Sequence, residues 1–245
     1  MRHWMGRCGV ISETEERLVS FDFTIFMEAV ASWAFLRGAL VTMALAIISH
    51  AVAMILGLGM ALLANGSNKT GRKSVALYSW VVRATPLLLQ LLFIWNAVPQ
   101  IFPVFKESWF TPFMAAFIAL SLHQTAYQTE ILRSALRSVS GGQQDAAKAL
   151  GLSRVKTLWL VTLPQAMRVA LPPTGSEFIS LVKTTSLATV ISLKELMTTA
   201  TYTISNNFRF LEIYGAALVY YLVIVSVLMI AQSRLELRLD APYGR

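Results

Sequence analysis

One cysteine, Cys8, and three histidines, at positions 3, 50 and 123, are all the thiol and imidazole in 245 residues. A lone cysteine excludes a disulfide framework and a Cys-based zinc site. The histidines form no H-E-x-x-H pair, and no G-x-S-x-G element occurs. Acidic residues are few, 13 in all, and scattered. No catalytic constellation or metal-ligand set emerges, so an enzyme is not expected. Residues 1–20 hold no apolar core of the kind a cleavable signal peptide needs, and Met5-Gly-Arg before Cys8 lacks a lipid-attachment pattern, so neither is expected. Charge is sparse as well: 14% of residues are Asp, Glu, Lys or Arg.

Apolar sequence fills the space the charges leave. Hydrophobic residues make up 56% of the chain and mean hydropathy is +0.58, which excludes an ordinary soluble domain. The runs are long enough to cross a bilayer, for which about 20 residues suffice. A net charge of +8 could suggest nucleic acid. The basic residues, however, are dispersed beside apolar runs, as in the cytoplasmic loops of a membrane protein, and no nucleic-acid partner is expected.

Taken in order, residues 1–20 form a polar tail. Residues 21–34 (FDFTIFMEAVASWA) predict an interfacial helix lying along the membrane. A first span covers residues 35–64, with Ala53, Gly57 and Ala61 giving one small-residue face for close helix packing. Residues 65–74 (NGSNKTGRKS) predict a turn-rich linker; it nearly matches a phosphate-binding loop, but Arg72 stands where that loop needs Lys and no strand context surrounds it. A second span over residues 75–99 carries Pro86, expected to kink the helix, with Thr85 and Gln90 available to bond the freed backbone groups.

The third span, residues 112–139, turns polar halfway. His123, Tyr127, Glu130 and Ser134 share a face by their 4-3-4 spacing, and that face must look into protein, water or the interface, because a charge facing lipid costs about 3 kcal/mol at mid-bilayer. Glu130 and Arg133 can pair at i, i+3, as structural partners or as part of a solute path. Pro172-Pro173 predicts an interruption before a fourth span over residues 176–196, whose centre holds Lys183, Thr184, Thr185 and Ser186. A polar loop, residues 197–211, and a fifth span, residues 212–233, follow.

Between spans three and four lies residues 143–164, QQDAAKALGLSRVKTLWLVTLP. Asp145 near the start of a short helix would complement its N-terminus. Ala146, Ala147 and Ala149 permit close approach of another surface, and Ala146 and Leu150 share a face. Gly151 suits the left-handed residue that ends a helix. Ser153 would cap a second helix, closed by Pro164. The spacing of Asp145-Ala146-Ala147, Gly151, Val161, Leu163 and Pro164 resembles the coupling loop of ATP-binding-cassette (ABC) importer permeases, E-A-A-x3-G-x9-I-x-L-P, with Asp for Glu and Val for Ile. Arg83-Ala-Thr-Pro-Leu-Leu-Leu-Gln90, Ala126-Tyr127-x-x-Glu130-Ile131-x-Arg133 and Lys183-Thr-Thr-Ser-Leu187 are similar to segments of the polar-amino-acid permeases within that family, with Ala84 for Gly and Thr184 for Asp.

The resemblance implies an all-α integral membrane subunit of about five spans. Residues 1–34 form the tail and interfacial helix, residues 35–235 one permease domain with its coupling loop at 140–165, and residues 236–245 a cytoplasmic tail. It further implies a second permease subunit, identical or homologous, an ATPase dimer docking on Asp145, Ala146, Ala147, Leu150 and Gly151, and a periplasmic substrate-binding protein. ATP and Mg would be bound by the ATPase, and no cofactor by this chain. Gln90, Tyr127, Glu130, Lys183, Thr184, Thr185 and Ser186 become candidates for the substrate pathway. Lys69, Arg72, Lys73, Arg133, Arg137, Lys148, Arg154, Lys156, Arg168 and the arginines of the tail fall on one side of a five-span layout, against Lys106, Lys194 and Arg209 on the other. That asymmetry orients the coupling loop and C-terminus to the cytoplasm and the N-terminus outside, in a bacterial inner membrane. An ATP-independent secondary transporter or channel fits the polar faces equally well but not the coupling spacing. A membrane scaffold, or an ABC permease for methionine or an opine, are further readings.

Overall fold

The computed structural model describes residues 21–240, and among them every regular element is helical. The polar tail with Cys8, and Arg245, lie outside the described residues. Asp22 caps α1 (Phe23–Ala31) by accepting from the Thr24 and Ile25 amides, and Ser32 caps α2 (Trp33–Asn65). A tight turn leads to α3 (Lys69–Ala84) and then α4 (Leu87–Ile101), which has a π-helical turn over Phe93–Ala97. Next come α5 (Pro112–Ser138), α6 (Gly141–Ala149) and α7 (Arg154–Thr157). A π-helical turn, Leu158–Thr162, leads into α8 (Leu163–Thr184) and a 3-10 stretch, Thr185–Ile191. The helices α9 (Leu196–Asn207) and α10 (Phe210–Asp240) complete the chain.

The tightest seam joins α2 to α5. Ala53, Gly57 and Ala61 are buried along it, and a Cβ on Gly57 would sit 2.9 Å from the Gln128 Cβ and 3.2 Å from backbone atoms of Gln128 and Thr129. The expected small-residue face is therefore present, and only hydrogen fits at its centre. The α5 face turned inward is polar: Ser121, Gln124, Thr125, Gln128 and Thr129 are all buried. Thr125 and Thr129 return their hydroxyls to the carbonyls of Ser121 and Thr125, and Gln128 accepts from Thr174 on α8 at 3.0 Å. Three apolar clusters surround this seam. One joins Leu45, Leu91, Leu120, Leu181 and Ile191; another seats α1 and α9 on α2 and α10 through Phe35, Leu196 and Ile213. The third, with Leu132, Leu136 and Ala170, lies at the end nearest α6.

By length and composition α2 and Phe210–Arg238 of α10 can each cross a membrane, and α3 with α4 can do so as a pair bent by 101°. The polar stretch that lines α5 and the charges and prolines of α8 make those helices less apolar.

Five sequence expectations are corrected. The linker of residues 65–74 is only a turn, because Asn68 caps α3 by accepting from Thr70 and Gly71 amides and Lys69 already begins the helix. The second span is broken rather than kinked, since Pro86 cannot donate and the extended Thr85 and Pro86 turn the chain. Pro164 does not close a helix, nor do Pro172 and Pro173 interrupt one. Pro164 stands at the start of α8 just after the π-helical turn, where an intrahelical donor is dispensable, and the double proline leaves carbonyls at exposed Arg168 and Val169. Residues 197–211 are helical over α9, because Glu195 caps its start through the Met197 and Thr198 amides and Leu196, Ala200 and Ile204 pack into the cluster with Phe35 of α2. Thr199, Thr201, Thr203 and Asn206 turn their polar groups back onto carbonyls one turn earlier.

Candidate coupling loop and polar cluster

The short helix α6 ends on a pair of backbone hydrogen bonds. Leu152 N donates to Ala147 O at 3.1 Å and Gly151 N to Lys148 O at 2.9 Å, with Gly151 at φ +79°. This is a Schellman stop, in which the left-handed residue lets the chain fold back and satisfy the last carbonyls. Ser153 then caps α7 through the Lys156 amide, as its position in the sequence suggests. Helix α6 packs on α7 and the π-helical turn, burying Ala147, while Ala146 and Leu150 face outward and Leu150 is 83% exposed. Asp145 departs from expectation: it lies in the middle of α6, pairs with Lys148 at 2.9 Å and has no contact with the helix N-terminus. Both members of that ion pair are well exposed, and such a bridge contributes little. The outward knob is thus built from small and apolar side chains on a backbone-defined stop.

A second constellation gathers around the break between α3 and α4. Gln90 Nε2 donates to Val82 O at 2.8 Å, to Thr85 O at 3.1 Å and to Thr85 Oγ1 at 2.8 Å, and Thr85 Oγ1 donates to Val81 O. Pro86 has no N–H to offer Val82 O, and the other acceptors lie open at the break. The other end of the Gln90 amide meets His123 Nδ1 at 3.1 Å. The His123 ring lies 5.1 Å from Tyr127, and the Arg83 guanidinium sits 5.5 Å above the Tyr127 ring. One turn on, Glu130 pairs with Arg133 at 2.6 Å. The structure therefore brings together Gln90, His123, Tyr127 and Glu130. It engages Gln90 at both ends, so Gln90→Ala should strand the Val82 and Thr85 carbonyls. We expect a cost of about 1–3 kcal/mol, read as a lower Tm of the detergent-solubilised protein with unchanged helix content by circular dichroism.

The remaining pathway candidates separate by exposure. Thr185 is buried and donates to Val182 O; Thr184 donates to Ser180 O and Leu181 O; Ser186 donates to Lys183 O. Only Lys183 presents its side chain at an exposed surface, with no acceptor among the described residues. Helix α4 packs against the 3-10 stretch that follows, so the Gln90 cluster and the Lys183 segment are neighbours.

Sequence reasoning missed Glu195. It is fully buried, and five donors converge on its carboxylate: Met197 N at 2.9 Å, Thr198 N at 2.7 Å, Thr198 Oγ1 at 3.1 Å, Thr42 Oγ1 at 3.3 Å and Tyr221 OH at 3.4 Å. One residue thus caps α9 and ties it to α2 and α10. Glutamate is an uncommon N-cap, and its partners lie far away in sequence, so no local signal marks it. Glu212 acts similarly at the other end of the same layer, accepting from the Asp22 amide at 3.0 Å and from Arg209 at 3.5 Å to hold α1.

Residues 53–241 match the family model described as "Binding-protein-dependent transport system inner membrane component". The glutamine transport system permease protein GlnP of Escherichia coli (strain K12) is 34% identical over 221 residues, covering 90% of this chain and 99% of that protein. The L-cystine transport system permease protein TcyB of Bacillus subtilis (strain 168) is 39% identical over 210 residues, covering 85% of this chain and 88% of that protein. A crystal structure of an amino acid ABC transporter with histidines superposes with a TM-score of 0.80 at 30% identity, over 90% of this chain and all of that one. The methionine ABC transporter MetNI, in inward-facing conformations, shares the fold at 18% identity with a TM-score of 0.73. With its short helix stopped at a left-handed glycine between two bundle helices, the chain belongs to the inner membrane components of binding-protein-dependent transport systems, the permease subunits of ABC importers.

Proposed function

We propose that the chain is one of two permease subunits of an ATP-driven importer of amino acids, crossing the membrane five times. The spans are α2, the α3–α4 pair, α5, the rod from α7 through α8, and α10, with the N-terminus outside and the C-terminus in the cytoplasm. Arg137 Nε donates to Asn65 Oδ1 at 2.9 Å, which supports α2 and α5 ending on one side, the side of α6 and of most loop cations. The transported solutes named for the glutamine and cystine permeases support an amino-acid cargo here.

The observation that carries the reading is the outward Ala146–Leu150 face of α6, held by the Gly151 stop. A cytoplasmic ATPase dimer docks on that face, binds ATP and Mg, and on closing pushes α6. Because α6 packs on α7 and the π-helical turn, which continue directly into α8, the push enters the membrane along one rod. Lys183, exposed and without an acceptor near the far end of that rod, offers a cation for the α-carboxylate of the cargo. A periplasmic binding protein delivers the cargo and the second permease completes the path.

Leu150→Asp tests the coupling face. It should weaken co-purification of the ATPase at least tenfold, equivalent to about 1.4 kcal/mol, and lower ATP-dependent amino-acid uptake in proteoliposomes, with no change in Tm because Leu150 makes no packing contact that the fold needs. Undiminished co-purification and uptake would refute the assignment.

A further inference from the structure

Beside the coupling loop the bundle opens into two adjoining clefts, of about 760 and 740 Å³, which share Ala64, Arg72 and Arg137 in their walls. The first adds Lys148 and Arg154 under α6 and α7; the second adds Arg83 and Arg133 between α3 and α5. Cations here greatly outnumber acids. Glu130 is taken by Arg133, Asp145 by Lys148, and Arg137 has only the neutral Asn65. Arg72 and Arg154 have no acceptor among the described residues, and Arg83 has only the ring of Tyr127. A topogenic excess of basic loop residues would account for the charge alone. It does not account for two buried hydroxyls. Ser79 Oγ and Thr157 Oγ1, in residues 4% and 5% exposed, have no hydrogen-bond partner, and one lines each cleft. Ser49 and Ser121 also lack partners but line neither cleft, whereas Ser79 and Thr157 each stand in a cleft wall, where an anion can accept from them.

The walls decide which anion. Leu62, Leu136, Val139 and Leu158 line the first cleft, and Val75 and the exposed Trp80 the second. Apolar walls beside arginines and an exposed tryptophan suit a molecule with a phosphate at one end and hydrocarbon at the other. We infer that the paired clefts bind the phosphodiester headgroup of an anionic phospholipid, through Arg72, Arg137 and Arg154 with the hydroxyls of Ser79 and Thr157. That the site lies at headgroup level in the inner leaflet rests on the topology proposed above. Bound there, the lipid would wedge between the ends of α2 and α5 and the coupling loop, so that lipid charge could set how firmly the loop is seated.

The test needs no ATPase or cargo, so failure of the importer reading leaves it intact. The full-length chain is delipidated in detergent and titrated with dioleoylphosphatidylglycerol or dioleoylphosphatidylcholine, and bound lipid is read by native mass spectrometry. The phosphatidylglycerol adduct should form at least tenfold more readily than the phosphatidylcholine adduct. Arg72→Gln/Arg137→Gln should erase that preference, while Lys106→Gln/Lys194→Gln, an equal loss of charge outside the clefts, should keep it. Should the arginine variant fail to fold, Ser79→Ala/Thr157→Val removes the hydroxyls alone and should weaken phosphatidylglycerol binding about threefold without lowering Tm. Equal binding of the two lipids, or a preference untouched by the cleft variants, would overturn the inference. So would displacement of the lipid by millimolar inorganic phosphate, which would mark a site for a soluble anion.

Discussion

Gly57→Leu should yield almost no folded protein. The α2–α5 seam leaves no room for a single Cβ at this position, with Gln128 Cβ at 2.9 Å and main-chain atoms of Gln128 and Thr129 at 3.2 Å. A flexible side chain could swing aside, but backbone in the middle of a helix cannot, and a leucine adds three further carbons beyond the Cβ. Overpacking commonly costs about 1–3 kcal/mol and more where no neighbour can move, a large part of the stability of a typical domain. Fluorescence-detected size-exclusion chromatography should show a collapsed monodisperse peak. Gly59→Ala, two residues away with open space where its Cβ would go, should behave like the parent protein. Equal yields of the two variants would contradict the seam.

Glu195→Ala should be the most damaging polar-to-apolar change. It removes an N-cap, worth about 1 kcal/mol, and leaves Thr42 and Tyr221 hydroxyls without an acceptor in the interior, each such orphan costing about 1–3 kcal/mol. Because Thr42 lies on α2 and Tyr221 on α10, the loss is of tertiary connection as well as of a helix end. The expected signature is a Tm drop larger than that of Glu195→Gln, which keeps one acceptor oxygen for the cap, together with faster proteolysis across α9. A Tm within a degree of the parent would show that the hub contributes nothing to stability.

What could be read in the sequence follows the range of the forces involved. The Ala53–Gly57–Ala61 face and the Gly151 stop were legible because each depends on the size of residues at fixed helical spacing. The Gln90 and Thr85 latch was legible because Pro86 announces missing hydrogen bonds and only near neighbours can replace them. Prolines 164, 172 and 173 misled, since a π-helical turn and exposed carbonyls cancel their usual effect and neither is visible without coordinates. Helix α9 was hidden by its threonines and asparagines, whose low intrinsic helix preference is offset by the Glu195 cap and by packing on α2. Glu195 was invisible because its value comes from residues 153 and 26 positions away. In the candidate site, spacing alone placed Ala146 and Leu150 on one face, but only the fold shows that Ala147 points inward and that Asp145 spends its charge on Lys148.

The Schellman stop of α6 has an evolutionary corollary. Its position is set by main-chain hydrogen bonds and by the missing Cβ of Gly151, so the side chains of Ala146, Ala149 and Leu150 give the knob its surface without fixing where it stands. Those positions can change while the knob keeps its place and angle. Surface chemistry and geometry thus rest on different residues: the outward side chains are open to substitution, whereas Gly151, with its left-handed φ, and Ala147, packed beneath the helix, are not.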